Sequence, residues 1–271
     1  MNKTLPVGRT AAGLARHWLG QARESARLLK RGAAAETLHD FRTSLRRLRV
    51  VLNSYRDFLG PAGARPLRER LRELSRLTSP ARDAQVWSTW LKTHGAPCEM
   101  TRRLIVHLEA VAAHCRKDFL DQGLPKFQSA ARELDHRLDR VEPGKSSFGA
   151  AASAAIRTAT KRLDRRMKPV RRGGTPAQMH AARIRVKRLR YLLEPFARTD
   201  AEARKMVARL RGLQDLFGKL HDLHELTDCA VPPASEPARL EARRLDRDFR
   251  RNWLRTGREQ RLISAGRRWS A

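Results

Sequence analysis

Two helical stretches of this chain carry histidine and basic residues at the same spacing. Residues 38–55 read LHDFRTSLRRLRVVLNSY, and residues 179–196 read MHAARIRVKRLRYLLEPF. The first row contains His39, Arg42, Arg46 and Arg49, and the second contains His180, Arg183, Lys187 and Arg190. Guanidinium and ammonium groups bind phosphate or carboxylate, and arginine does so in bidentate fashion. The spacing therefore predicts surfaces for a multiply charged anion.

Both rows follow the period of an α-helix. At about 100° per residue, each row lies within an arc of roughly 80° and spans about 15 Å. Phe41, Leu45 and Leu48 fall on the opposite side, so the stretch is amphipathic. Like charges one turn apart repel by a few tenths of a kcal/mol per pair. A solvated helix face is the alternative, but such faces usually mix charge signs, and an anionic ligand explains the repeated cations better.

The helices that precede the two rows carry basic residues of their own at helical spacing. These rows are as consistent with solvated helix faces as with further phosphate contacts. If each helix packs beside the row that follows it, two basic rows face one groove. The candidate additional contacts are Arg16, Arg23, Arg27 and Lys30 in the first helix, and Arg157, Lys161, Arg165 and Lys168 in the second.

The composition indicates a polyanionic partner. The chain has 271 residues and a net charge of +30, and arginine supplies 47 of its 58 basic residues. Such a surplus favours nucleic acid, polyphosphate or an anionic membrane surface as the partner. Three scattered cysteines, no apolar run of membrane-spanning length and no leader-like start predict a cytoplasmic protein.

The sequence predicts an all-α protein, since it contains no sustained alternation of apolar and polar residues typical of strands. A second repeated block supports a duplication, because residues 74–86 align with 213–225 and pair Asp83 with Asp222. We expect two pseudo-symmetric four-helix repeats, 1–141 and 142–271, forming one domain with a basic central groove or pore and a basic tail after Gly257. The predicted helices are 8–31, 34–59, 65–93, 97–121, 124–140, 147–169, 177–197, 201–228 and 235–256.

No catalytic or metal-binding constellation is recognisable in the sequence. There is no P-loop, nucleophile elbow or zinc-protease motif, so the chain is predicted not to be an enzyme and to need no cofactor. His221 and His224 have a ligand-like spacing without repeated partners, and no metal site is predicted. We expect His39 and His180 to donate hydrogen bonds to phosphate or to an aspartate, and to gain a proton when an anion binds, which predicts tighter binding below about pH 6.5. Asp83 and Asp222 either orient an arginine or cap a helix.

The two rows resemble the conserved histidine α-helical domain, the CHAD family. The resemblance rests on HDFRTSLRRLR at 39–49, HAARIRVKRLRYLLE at 180–194, and the blocks that end ARD at 81–83 and HDL at 221–223. It covers nearly the whole chain, 1–271. A departure is the glycine usual before the Arg-Asp block, which is absent around Ser79–Pro80 and present as Gly218.

The resemblance implies a basic cavity that binds inorganic polyphosphate, with the two rows facing the ligand. Polyphosphate has no bases, and aromatic residues that could stack on bases are few in this sequence. We therefore expect non-enzymatic polyphosphate binding and association with polyphosphate granules in the cytoplasm. The alternatives are nonspecific binding of nucleic acid, as in a nucleoid-associated or RNA-binding protein, and a scaffold for acidic or phosphorylated proteins.

Overall fold

The structure, a computed structural model, describes residues 2–32, 35–230 and 232–269. Throughout this part of the chain the secondary structure is helical, and no strand is present beyond one isolated bridge between Pro6 and Ser147. The all-α prediction is confirmed. No helix in the described ranges is long and apolar enough to span a membrane.

The chain forms two compact units. The N-terminal unit comprises Asn2–Ser88 with Val106–Ala151, and the C-terminal unit comprises Thr89–Ile105 with Ala152–Ala271. Both therefore recruit chain segments from more than one stretch of sequence. The predicted duplication at 1–141 and 142–271, and the groove expected between its halves, stay predictions.

The N-terminal unit is built around α2. Helix α1 packs along α2, and α3 and α6 complete the contacts within this unit. Phe41 of α2 is fully buried, and its ring lies 5.0 Å from those of Phe119 and Phe127. The helices are α1 (Val7–Lys30), α2 (Ala35–Ser54), α3 (Arg65–Leu77), α4 (Ser79–His94), α5 (Glu99–Asp118) and α6 (Leu124–Leu138), and the last turns of α4 and first turns of α5 belong to the C-terminal unit.

One predicted helix, 65–93, is divided in the structure. Helix α3 ends at Leu77 and α4 begins at Ser79, so the continuous prediction is wrong at Thr78. Pro80 has no N–H to continue the backbone ladder and restricts the residue before it. The Thr78 and Ser79 hydroxyl groups also donate to carbonyl groups of the preceding turn. The start of another predicted helix, residue 34, lies outside the described residues.

The C-terminal unit is centred on α9, against which α8, α10 and α11 pack. Phe217 and Phe249 join α9 to α10, with their ring centroids 5.1 Å apart. Its helices are α7 (Phe148–Arg171, whose first turn belongs to the N-terminal unit), α8 (Pro176–Leu193), α9 (Ala201–Cys229), α10 (Glu236–Phe249) and α11 (Arg258–Trp269). Short helical turns connect or extend the helices of both units. The 3-10 turns are Arg56–Phe58, Gly60–Gly63 and Glu194–Phe196, and the π turns are Phe119–Gly123 and Arg250–Leu254.

Local sequence signals explain where α8 and α9 begin. Thr175 and Gln178 form a capping box at the start of α8, and Pro176 occupies the first turn. The Asp200 carboxylate accepts a hydrogen bond from the Ala203 N–H at 2.9 Å and caps α9. These two caps fix the register in which α8 and α9 present their polar side chains.

The basic segment after Gly257 is folded. It forms α11, which buries Leu262 and Ile263. The carboxylate of Glu259 is 2% exposed and accepts from Arg171 of α7 at 2.5 Å, so an ion pair fastens α11 to the unit. The predicted tail is thus an element of the C-terminal unit.

Candidate anion-binding clusters

Helix α2 presents its predicted basic row away from the core of the N-terminal unit. Leu45 and Leu48 are fully buried, whereas Arg46 and Arg49 are partly exposed. The apolar side packs inward because it removes hydrocarbon from water, which leaves the cations on the outer side. The amphipathic pattern predicted for this stretch is confirmed.

Two arginines of α3 extend this row into a cluster. Arg72 and Arg76 lie close enough to Arg49 that, after burial and together with Arg46, they lower the pKa of Arg49 to about 10. We call Arg46, Arg49, Arg72 and Arg76 the α2–α3 cluster. No carboxylate in the described residues lies within 4.0 Å of these four side chains. Arg72 and Arg76 were not among the residues predicted from sequence, although their i,i+4 spacing on α3 was a usable signal.

Arg42 is held at the break between α3 and α4. Its Nη1 atom donates to the Thr78 Oγ1 at 2.9 Å, and to the Ser75 carbonyl and the Ser79 Oγ at 3.2 Å each. The hydroxyl groups that interrupt the helix therefore fix this guanidinium. Arg42 joins α2 to the α3–α4 turn, so its replacement would alter the fold as well as the charge.

His39 lies at the start of the α2 row and is exposed at its edge. Partial desolvation lowers the pKa of His39, and the positive charges of Arg82 and Arg46 lower it further, while Asp40 opposes them. The imidazole is thus neutral at pH 7 in the free protein. Arg82 of α4 is a further cation beside this row that the sequence analysis did not predict.

The candidate contacts on α1 are largely engaged with carboxylates. Two of the three ion pairs tie α1 to α6, which neutralises part of the charge of this row. Lys30 is exposed at the end of the helix. The pairs are Arg16 with Asp139 at 2.9 Å, Arg23 with Asp135 at 2.5 Å, and Arg27 with Glu24 at 2.5 Å.

In the C-terminal unit, His180 of α8 is paired with a histidine of α9. The Nδ1 atoms of His180 and His221 are 3.2 Å apart, and the ring centroids are 4.1 Å apart. Burial lowers the pKa of His180, and burial with the nearby cations lowers the pKa of His221 to about 3. Arg183 and Lys187 contribute to both shifts, so the pair is neutral beside two cations. This pairing was not predicted from sequence.

Arg183 lies across α9 at its glycine. A Cβ atom at Gly218 would be 3.5 Å from the Arg183 Nη2 atom, so the guanidinium rests directly on the α9 backbone. Ser79 occupies the aligned position in the first block, and its hydroxyl group accepts from Arg42 instead. The glycine that is absent from the first block is therefore replaced by a hydrogen-bond acceptor for the equivalent arginine.

Arg190 is separated from the other predicted members of its row by burial. Its side chain is 8% exposed, pairs with Glu194 at 3.1 Å and lies over the Tyr191 ring at 4.7 Å. Its charge is thus paired with a carboxylate inside the unit, although its Nε atom is buried without a hydrogen-bond partner. His180, Arg183 and Lys187, with His221, form what we call the α8–α9 cluster.

Helix α7 carries an exposed basic row. Arg165, with Arg162 and Arg166, lies near Arg185 of α8 and, after burial, lowers the pKa of Arg185. The sequence analysis missed Arg185 as a neighbour of this row. The predicted members Arg157, Lys161, Arg165 and Lys168 are all exposed.

The clusters carry the donor groups that anion binding requires. The α2–α3 cluster consists of guanidinium groups, which are permanent donors, and the α8–α9 cluster combines two cations with neutral imidazoles that gain a proton when negative charge approaches. Within the described residues, no group of three or more His, Cys, Asp or Glu has the arrangement of a metal site. The fold and clusters define an all-α protein with carboxylate-poor arginine surfaces.

Comparison with known proteins agrees with this class. The family model of the CHAD domain matches residues 12–231, so the chain belongs to the CHAD domain family. The crystal structure of the CHAD domain from the plant Ricinus communis is similar over 98% of this chain and 94% of its own, with a TM-score of 0.73. At 20% identity, that similarity establishes the fold. No curated protein matches the sequence of this chain.

Proposed function

We propose that this CHAD protein binds inorganic polyphosphate. The observation that carries the proposal is the α2–α3 cluster, four arginines with no carboxylate within 4.0 Å in the described residues, where burial and then the neighbouring cations lower the pKa of Arg49 to about 10. Such an arrangement is unfavourable in the free protein and becomes favourable when an anion neutralises it. The CHAD family is linked to polyphosphate binding, which agrees with this reading.

The chemistry of the clusters favours polyphosphate over nucleic acid. Single-stranded nucleic acid is bound through aromatic platforms interleaved with cations. Both tyrosines, Tyr55 and Tyr191, are buried, and Trp18 is covered by the Arg47 guanidinium at 4.7 Å. The four residues of the α2–α3 cluster are all arginines, so this cluster offers dense phosphate donors without an aromatic ring on which a base would stack.

We further propose that binding is not followed by phosphoryl transfer. Enzymes of that class hold Mg²⁺ with carboxylates close to the phosphates. The donors of the α2–α3 cluster are cationic, and cations neither coordinate nor attract a metal ion. The proposed role is therefore binding alone, and association with polyphosphate granules in the cytoplasm follows from the same affinity.

The test is a parallel titration of the full chain with long-chain polyphosphate, single-stranded RNA and duplex DNA of equal total charge. At roughly 150 mM salt we expect polyphosphate to bind about tenfold tighter than either nucleic acid, because screening removes nonspecific attraction first. Equal affinities would assign the clusters to nonspecific nucleic-acid binding, and the polyphosphate proposal would be rejected.

The same titration with the Arg46→Gln and Arg49→Gln double variant locates the site. A matched control is the Arg56→Gln and Arg65→Gln double variant, in which both replaced arginines are exposed and paired with Asp57 and Glu69. Both variants lose two charges in the same unit. A selective loss in the first assigns polyphosphate to the α2–α3 cluster, and equal losses would reduce the effect to net charge.

A further inference from the structure

Helix α10 lines a cavity in the C-terminal unit that contains none of the residues of the two clusters. It adjoins the α8–α9 cluster, because its lining residue His224 lies close enough to His221 to influence the pKa of that residue. The cavity has a volume of about 440 Å³ and lies between α10, the start of α8 and the end of α9. This volume is in the range of small-molecule sites. Arg239, Arg243, Arg247 and Arg250 reach it from successive turns of α10 and the π turn that follows.

The positive charge of this cavity is only partly compensated. Arg250 is held by the Asp246 carboxylate through two hydrogen bonds of 2.7 and 3.3 Å, and Arg239 lies 4.0 Å from Glu236. Neither Arg243 nor Arg247 has a carboxylate within 4.0 Å in the ranges that the structure describes. Two uncompensated guanidiniums one turn apart can each donate to a different phosphate of a short phosphate chain.

Part of the cavity lining is apolar. Met179 and Ala242 are 6% and 5% exposed and line it together with Pro176. A pure phosphate chain gains nothing from such a wall, whereas a ligand with a flat apolar portion buries hydrocarbon against it. The combination distinguishes this cavity from the carboxylate-free α2–α3 cluster.

Polar groups are available where the wall meets α9. The half-buried His224 ring lines the cavity and has no hydrogen-bond partner among the described residues. The Thr227 hydroxyl group donates to the Leu223 carbonyl at 2.8 Å, which leaves its oxygen free to accept. These groups supply one donor or acceptor each for the edge of a heterocycle or a sugar hydroxyl.

A glycine turn shapes the entrance beside α8. Gly173 has a φ of +94°, and a Cβ at Gly174 would lie 2.9 Å from the Val170 Cα, so neither position tolerates a larger residue without strain. The Arg250 Nη1 atom lies 3.8 Å from the Cβ position of Gly173. The turn thus brings the start of α8 beside the arginine wall.

We infer that the α10 cavity binds a small organic polyphosphate of the nucleoside triphosphate class. The phosphates lie on Arg243 and Arg247, and the base packs on Met179, Pro176 and Ala242. The inference goes beyond polyphosphate binding by the two clusters and is independent of it, because it uses different residues and a different ligand.

The test is calorimetric titration of the full chain with ATP and, separately, with tripolyphosphate, both without Mg²⁺ at about 150 mM salt. We expect ATP to bind about tenfold tighter than tripolyphosphate, since only ATP has a base to bury. Equal affinities would mean that the apolar wall contributes nothing and would overturn the inference.

Two variants place ATP in the cavity. The Arg243→Gln and Arg247→Gln double variant removes the two uncompensated charges, both at exposed positions, and should weaken ATP binding about thirtyfold. Ala242→Leu fills the cavity without a change of charge and should also weaken ATP binding. Wild-type affinity in either variant, confirmed as folded by circular dichroism, would overturn the inference.

A matched control uses the other side of α10. Arg244 is paired with Glu241 at 2.5 Å, Arg251 is paired with Asp248 at 3.0 Å, and neither lines the cavity. The Arg244→Gln and Arg251→Gln double variant should bind ATP as the wild type does, and an equal loss would reduce the effect to net charge. Loss of polyphosphate binding in the α2–α3 variants with ATP binding retained would separate the two proposals.

Discussion

Replacing Arg72 and Arg76 together by glutamine tests whether α3 contributes to polyphosphate binding. Both side chains are exposed and belong to the cluster that lowers the pKa of Arg49. Neither has a carboxylate within 4.0 Å in the described residues, so the substitution leaves no acid without its partner. The expected loss therefore reports contacts with the ligand and not damage to the unit.

The magnitude follows from the exposure of the two arginines. Two unit charges 4 Å apart attract by about 1 kcal/mol in bulk water and about 4 kcal/mol at the dielectric of a protein surface. Because Arg72 and Arg76 are exposed, each contact is expected near the lower value, at about 1–1.5 kcal/mol. The double variant should then bind polyphosphate roughly 30- to 150-fold more weakly.

The lower end of this range is the better expectation. Removing two neighbouring cations also relieves the repulsion on Arg49, whose pKa should return toward its ordinary value. Because a group with a pKa of about 10 is already protonated at pH 7, the contact of Arg49 itself with the ligand is unchanged by this relief. The two removed contacts are exposed and screened by solvent, so we expect a loss of about 30-fold.

The assay is fluorescence anisotropy with end-labelled polyphosphate at several salt concentrations. The slope of log affinity against log salt should fall by about 1.4, which is two contacts at the coefficient of a single-stranded polyanion. The control is the Arg56→Gln and Arg65→Gln variant, which loses the same charge from paired positions. An equal loss of affinity and slope in the control would refute the assignment of α3 to the site.

Three other perturbations follow from the same structure. Arg49→Met should raise the melting temperature of the free protein by about 2–4 °C, because it removes a charge that is partly desolvated and repelled by its neighbours. The same variant should weaken polyphosphate binding. A lower melting temperature would contradict the expected stabilisation. Glu259→Ala should destabilise the protein by about 2 kcal/mol in urea unfolding, because it removes a charge-assisted hydrogen bond at a buried carboxylate while Arg171 keeps its pairing with Asp164. Glu99→Ala, at an exposed ion pair, should cost less than about 1 kcal/mol. Equal effects would show that Glu259 does not hold α11 to the unit. Since the pKa values of His39 and His180 are lowered in the folded protein, the unfolded chain binds more protons, and the free energy of unfolding should fall as pH drops below about 6.5. Polyphosphate should restore this stability and should bind more tightly at pH 5.5 than at pH 7.5. A polyphosphate affinity that does not depend on pH would refute a role for these imidazoles.

The lowered histidine pKa values revise one expectation from sequence. An unperturbed histidine would gain its charge near pH 6.5. Burial and the adjacent cations disfavour the charged form of His180 and His221 in the free protein. The increase in polyphosphate affinity should therefore develop at a lower pH than the sequence suggested, because the ligand must first offset these costs.

The sequence by itself determined most of the helices and which side of α2 is buried, although it indicated neither the break at Thr78 nor the helix α11. Helix formation and amphipathicity depend on residues three and four positions apart, which the sequence displays directly. Phe41, Leu45 and Leu48 are buried as their spacing predicts. The paired motifs of α2 and α8 were also sufficient to indicate the CHAD family before any fold was known.

The tertiary structure decided which cations share a site. Arg49 meets Arg72 only because α2 packs against α3, and His180 meets His221 only because α8 packs against α9. Contacts between helices depend on how side chains interdigitate across the interface, and no period along one helix contains that information. For the same reason Arg190, predicted from spacing to face a ligand, lies buried against Glu194.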